Sequence, residues 1–204
     1  MPFGDAPISL EELASKLRIM IPKLAGTLTN EGYTRGLKEA LQQIGNSLGV
    51  RTLCKDKDRN RKEFMLEVVW WSDVPRDQRA VLGVESDWGS PMDKNPENRA
   101  SQVMEKFEKL LLFKAPIKLI LFSASNPEVR GAIHSGIQKL LINISQHVRG
   151  EQYLFMEFAK NDCYTYRWTA RETGQCTDTV LEPMDKLSEN ILQSRRLGTG
   201  GYPG

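Results

Sequence analysis

No stretch of this chain reaches the roughly 18 consecutive apolar residues that a bilayer-spanning helix needs, so a membrane-crossing segment is not expected. The N-terminal Met1-Pro-Phe-Gly-Asp lacks the basic region followed by an apolar one that marks a secretory leader, and the expected location is cytoplasmic. Cysteine is scarce. Cys54, Cys163 and Cys176 are odd in number and widely spaced, which suits reduced thiols rather than a disulfide framework or a structural zinc site. Histidine is scarcer still: His134 and His147 sit on a helix-like stretch, about 20 Å apart if it is continuous, too far to share a zinc ion. An excess of one charge sign is also missing. With 28 basic against 26 acidic residues the net charge is +2, so any argument for a polyanionic partner must rest on local charge.

What remains is an ordinary globular composition, 40% hydrophobic and 26% charged, over 204 residues, enough for one well-buried domain with small extensions. Ser9 and Glu12 form a capping box ahead of Leu10, Leu13, Leu17 and Ile21, predicting a short first helix that Pro22 interrupts. Tyr33, Leu37, Leu41, Ile44 and Leu48 make the apolar stripe of a second helix, which Gly49 stops. Three strands are expected at about 50–54, 63–71 and 80–88, the last two separated by a turn-prone segment over 72–78. A helix at about 98–113, a buried strand at 117–123, a long helix at about 127–148 and a hairpin of 153–159 with 163–169 follow. A last helix is expected from Asp178 to Gln193, then a glycine-rich tail over 198–204, expected to be disordered. No internal repeat is present.

The second and third strands carry acids inside apolar runs. Phe64-Met-Leu-Glu-Val-Val-Trp-Trp71 contains Glu67, and Ala80-Val-Leu-Gly-Val-Glu-Ser-Asp-Trp88 contains Glu85 and Asp87. An ionised carboxylate in a water-poor strand must be paired, hydrogen-bonded or bound to a metal. Strand alternation puts Glu85 and Asp87 on one face about 7 Å apart. An antiparallel hairpin centred on Arg76 would set Glu67 opposite Glu85, a repulsive arrangement that a bridging divalent cation would relieve. Oxygen-only ligation selects Mg²⁺ or Mn²⁺. The plainer reading is that each acid sits at a sheet edge or pairs with Arg or Lys.

An acid in the second strand, then Glu-x-acid in the third, then a helix and an apolar strand resembles the PD-(D/E)xK nuclease superfamily, the restriction-endonuclease-like fold, over roughly residues 30–125. The likeness implies an α/β protein: an αβββαβ core with a mixed central sheet flanked by helices. On that reading residues 1–29 are an N-terminal helical extension, 30–170 the core domain and 171–197 a C-terminal helical extension. It also implies that Glu67, Glu85 and Asp87 hold Mg²⁺ or Mn²⁺ and that the chain is a metal-dependent nuclease. Asp87 departs from the pattern, because a lysine is usual there. Some members carry that lysine on the following helix, which makes Lys109 the candidate and Lys106 the second, although Lys109 could simply pair with Glu105 four residues earlier.

Nucleic acid, DNA foremost, is the partner implied. Between Arg51 and Lys62 six basic residues face only Asp56 and Asp58, and Lys55, Lys57, Arg59, Arg61 and Lys62 are placed to grip phosphates just before the Glu67 strand. Trp70, Trp71 and Trp88 flank the acids and are expected chiefly as core, with base stacking the alternative. The extra helices leave room for a homodimer. The competing function is a catalytically inactive nuclease-fold module that binds nucleic acid or a protein, for which Asp87 in place of lysine is the reason.

Overall fold

A computed structural model describes residues 6–27, 29–55, 66–75, 77–89, 95–159, 162–172, 174 and 180–184. Eleven elements occur among them: α1 (Leu10–Ala25), α2 (Asn30–Ser47), β1 (Arg51–Cys54), β2 (Val68–Val74), β3 (Asp77–Asp87), α3 (Pro96–Leu112), β4 (Ile117–Ser123), α4 (Pro127–Asn143), β5 (Gln152–Phe158), β6 (Cys163–Thr169) and β7 (Glu182–Pro183). The helices start where short polar side chains can cap them. Ser9, Thr29, Asn95 and Asn126 each accept a backbone N–H of the first turn, and Pro96 and Pro127 occupy positions where no N–H is needed. α1 runs through Pro22 to Ala25 instead of stopping there, and Gly26 at φ 69° ends it.

The seven strands form one mixed sheet in chain order. β1, β2 and β3 are antiparallel, β3, β4 and β5 parallel, and β5, β6 and β7 antiparallel again. Two apolar layers cover it. α1 and α2 pack Leu13, Leu17, Leu37 and Leu41 against Trp70, Leu82 and Leu119 on one face. α3 and α4 pack Val103, Phe107, Ile133 and Ile137 against Ile120, Phe122 and Phe155 on the other. The chain is thus an α/β protein, with α1 built into its core layer. Within 180–184 the chain is extended, with Glu182–Pro183 paired to β6 where a helix was expected. The predicted tail over 198–204 lies outside the described residues.

α1 and α2 approach so closely that a Cβ at Gly36 would fall 2.6 Å from the Ile21 carbonyl oxygen and 2.8 Å from the Ala25 nitrogen. Both are backbone atoms of α1 and cannot rotate away. Alanine would gain about 1 kcal/mol of helix propensity, but overpacking costs about 1–3 kcal/mol. Gly36→Ala is therefore expected to lower the urea midpoint. A higher midpoint would show that α1 is free to slide.

The hairpin of β2 and β3 is tighter than expected. Val74 pairs with Asp77, so the residues of the supposed turn lie mostly in the ladder. An irregularity between Trp70 and Trp71 then shifts the register by one, from Trp71 with Ala80 to Trp70 with Leu82. Val81 is the extra residue, and consecutive Val81 and Leu82 both enter the α1/α2 layer. Beyond the bulge the ladder ends with Val68 paired to Val84, and Glu67 and Glu85 are the residues just past that pair. Without it, every side chain of β2 above that point would face a partner shifted by one.

Candidate active site

On the α3/α4 face, strand register arranges the side chains in rows. The first row reads Gly83, Lys118, Tyr153 and Trp168, the second Glu85, Ile120, Phe155 and Tyr166, the third Asp87, Phe122, Glu157 and Tyr164. Glu85 therefore shares its row with apolar neighbours and lies beneath α3. It is only 1% exposed, and its Oε2 has no hydrogen-bond partner. Burial, followed by the Glu67 charge, raises its pKa from 4.5 to about 7. Three lysines work against that rise: Lys106, whose Nζ is 3.9 Å from Oε2, then Lys109 and Lys55.

Glu67 lies one residue before β2 rather than inside it and is half-buried. Its backbone carbonyl accepts the Lys55 N–H at 3.1 Å, and its Oε2 accepts the Ser86 hydroxyl at 2.6 Å. Lys55, just past β1, and Ser86 of β3 thus hold the residue.

Asp87 is not available as the third ligand of the expected triad. Its Oδ1 accepts Arg99 Nη1 at 2.5 Å and the Gly89 N–H at 2.9 Å. Arg99 is itself buried in the first turn of α3, so an internal cation answers this acid. Among the described residues no group of three or more His, Cys, Asp or Glu side chains is arranged to hold a metal ion.

Lys109 also departs from its expected place. Its Nζ is 3.3 Å from Glu105 Oε1, one turn back along α3, and Lys106 is the lysine whose ammonium meets Glu85. The 100° step of the helix explains the exchange: Phe107, Leu110 and Leu111 enter the core, and Lys106 flanks that stripe on the Glu85 side. Of the basic loop residues, Lys55 is exposed beside Glu67, while Lys57, Arg59, Arg61 and Lys62 lie outside the described residues. Trp70 is core, its Nε1 donating to the Leu41 carbonyl at 3.1 Å. Trp88 is half-buried in an aromatic cluster with Tyr33, at 5.1 Å, and Phe158, at 5.5 Å. Cys54 and Cys163 are free thiols.

Besides Arg99, three buried charges were not expected from the sequence. Lys118 interrupts the apolar strand β4 and pairs with Glu151 at 3.1 Å. Glu157, wholly buried in β5, accepts Arg130 Nε at 2.7 Å and faces His134 Nε2 at 3.7 Å. The signal that picked out Glu67 and Glu85, a charge inside an apolar strand, was present at both Lys118 and Glu157.

No known protein family matches this chain, and neither the curated proteins nor the solved structures contain a match. Among the described residues no helix is long and apolar enough to cross a membrane.

Proposed function

We propose that the chain is a metal-dependent phosphodiester hydrolase acting on nucleic acid, with Glu67 and Glu85 as the carboxylates that hold Mg²⁺ or Mn²⁺. The observation that carries this reading is Glu85: a buried carboxylate that the Lys106 ammonium approaches only to 3.9 Å and on whose charge a second acid, Glu67, bears. A buried carboxylate so loosely answered costs stability. Two carboxylates fit a hard divalent cation that keeps several waters and takes its remaining ligands from phosphate oxygens. Such an ion would supply positive charge to phosphoryl oxygens and lower the pKa of a water. The strand order, an antiparallel β1, β2 and β3 followed through α3 by a parallel β4, supports the restriction-endonuclease-like resemblance.

The chain's own residues divide the remaining work. Ser86 Oγ fixes the Glu67 carboxylate by donating to it. Lys106, 28% exposed at its side chain, faces Glu85 from α3 and can meet both the acid and an incoming phosphate. With Lys55 and Lys109 also bearing on Glu85, the surroundings of the buried acid favour an anionic diester. The second reading, a nuclease-fold module without turnover, draws on the Asp87–Arg99 pair at the position where the resemblance places a lysine.

Wild type incubated with supercoiled, linear and single-stranded DNA, and with RNA, is expected to cleave at least one of them in Mg²⁺ or Mn²⁺. Glu67→Ala and Glu85→Ala should each reduce cleavage to background. Cleavage that survives both substitutions sinks the assignment. Binding in either metal with no cleavage supports the inactive module.

A further inference from the structure

The Asp87–Arg99 pair is more elaborate than charge neutralisation requires. Arg99 Nη1 donates to Asp87 Oδ1 and, at 3.3 Å, to Gln102 Oε1. Its Nη2 donates to the Asp87 carbonyl at 2.7 Å and to the Ser123 carbonyl at 3.2 Å. One guanidinium thus ties the end of β3 to the end of β4 from the first turn of α3. Gly89 makes room for it. At φ 71°, a Cβ there would fall 2.7 Å from Arg99 Nε, so a larger residue would displace the guanidinium. Gly89 also gives its N–H to the same Asp87 oxygen. Backbone, glycine and arginine together hold the Asp87 carboxylate in one orientation, two residues along the same face from Glu85.

This arrangement bears on the charge of the site. Fully ionised, Glu67, Glu85 and Asp87 stand against Arg99 and the three lysines that bear on Glu85, which leaves one net positive charge, and a divalent ion raises that to three. Without Arg99 the loaded centre would carry one positive charge fewer, and Asp87 would be free to turn toward the ion as a third anionic ligand. A site meant to grip a metal as tightly as possible would use all three acids. One that must also receive a negatively charged diester gains from keeping one acid occupied.

We propose that Arg99 is a positioning residue that withholds Asp87 from the metal ligand set, leaving a two-carboxylate centre that is cationic when loaded and open to an anionic phosphodiester. The proposal rests on the metal-dependent reading of Glu67 and Glu85.

Calorimetric titration of the full chain with Mn²⁺ tests it without any need for activity. Arg99→Gln is expected to tighten Mn²⁺ binding at least tenfold, because it frees Asp87. Asp87→Asn alone should weaken binding no more than about fivefold, through the charge it removes, whereas Asp87→Asn in the Arg99→Gln background should cost at least tenfold. Asp87 would then matter as a ligand only once Arg99 is gone. If Arg99→Gln does not fold, the single Asp87→Asn variant still decides: a loss as large as that of Glu85→Gln means Asp87 is a ligand with Arg99 in place and overturns the proposal. Equal losses from Asp87→Asn in both backgrounds overturn it as well. No Mn²⁺ binding by wild type or any variant removes the metal reading itself, an outcome separate from the first two.

Discussion

Glu151→Ala is expected to destabilise the folded chain by about 3–5 kcal/mol, the usual effect of removing one partner from a buried ion pair. That is a large share of the roughly 5–15 kcal/mol that holds a typical domain together. Lys118 is 1% exposed and Glu151 not at all, and their charged groups meet at 3.1 Å. Tyr153 is the hub beside them. Its hydroxyl accepts from Lys118 Nζ at 3.1 Å and donates to Glu151 Oε2 at 3.0 Å, while its ring lies 5.0 Å from the ammonium. His147 closes the group. Its Nε2 donates to the Leu141 carbonyl at 2.9 Å, and its Nδ1 is 3.2 Å from the Tyr153 hydroxyl.

Burial pulls the Lys118 pKa from 10.5 down to about 8, and the charge of Glu151 is the main influence holding it up. For Glu151 burial acts in the opposite sense, raising the pKa, but His147 and Lys118 outweigh it and keep the carboxyl below its ordinary range. Both groups are therefore charged at pH 7, and deleting Glu151 leaves an ammonium with only neutral partners. Because the folded pKa of Lys118 is the lower one, the cost of its burial is fully present below about pH 8 and is relieved as pH rises toward 10.5. Without Glu151 the Lys118 pKa falls further, so the deficit of Glu151→Ala should shrink as pH rises toward 8 and stay level above it in urea titrations. Lys118→Met with Glu151→Met should recover most of the loss, since a well-packed apolar pair can replace a buried salt bridge. A single-variant loss under about 1 kcal/mol would mean that water reaches Lys118.

Glu85→Gln is expected to act in the opposite direction and stabilise the metal-free protein by about 3 kcal/mol at pH 8. The magnitude follows from the rise of the Glu85 pKa from 4.5 to about 7, at about 1.4 kcal/mol per pKa unit. Between those two pH values the folded state binds a proton that the unfolded state has released, so wild-type stability falls as pH rises. Glutamine keeps the volume and removes the charge. The gain should be near zero at pH 4, grow through the window from 4.5 to 7, and level off above it. Thermal or urea unfolding in a chelating buffer reads this directly. A variant less stable than wild type at pH 8 would identify Glu85 as a structural ion-pair partner of Lys106 and remove the reason to assign it a function. A gain, together with loss of cleavage, is the pattern of a group kept for chemistry at a cost in stability.

The hairpin shows how sequence and structure can agree for different reasons. A turn centred on Arg76 predicts Glu67 opposite Glu85; the ladder ends one pair short of them, at Val68 with Val84, after a tighter turn and a bulge at Val81. Hydrophobic alternation cannot reveal a bulge within so apolar a strand, since Val81 and Leu82 suit either face. The expected metal triad failed at Asp87 for a related reason. Its partner Arg99 lies 12 residues away across an intervening connection, and nothing in the spacing distinguishes a ligand from half of an ion pair.

By itself the sequence determined the class and most of the element order, because periodicity, caps and prolines act over a few residues and leave their mark locally. The hairpin of β5 and β6, the helices α2 and α3 and the buried strand β4 lie close to where pattern alone puts them. It also singled out Glu67 and Glu85 as costly acids. Only the tertiary structure decided how each charge is answered: Asp87 by Arg99, Lys118 by Glu151, Glu157 by Arg130, and Glu85 by Lys106 at the longer distance of 3.9 Å. Those pairings depend on which strands lie side by side and which helix covers them. Electrostatic energy in a buried site is set by distances of a few ångströms between residues remote in the chain.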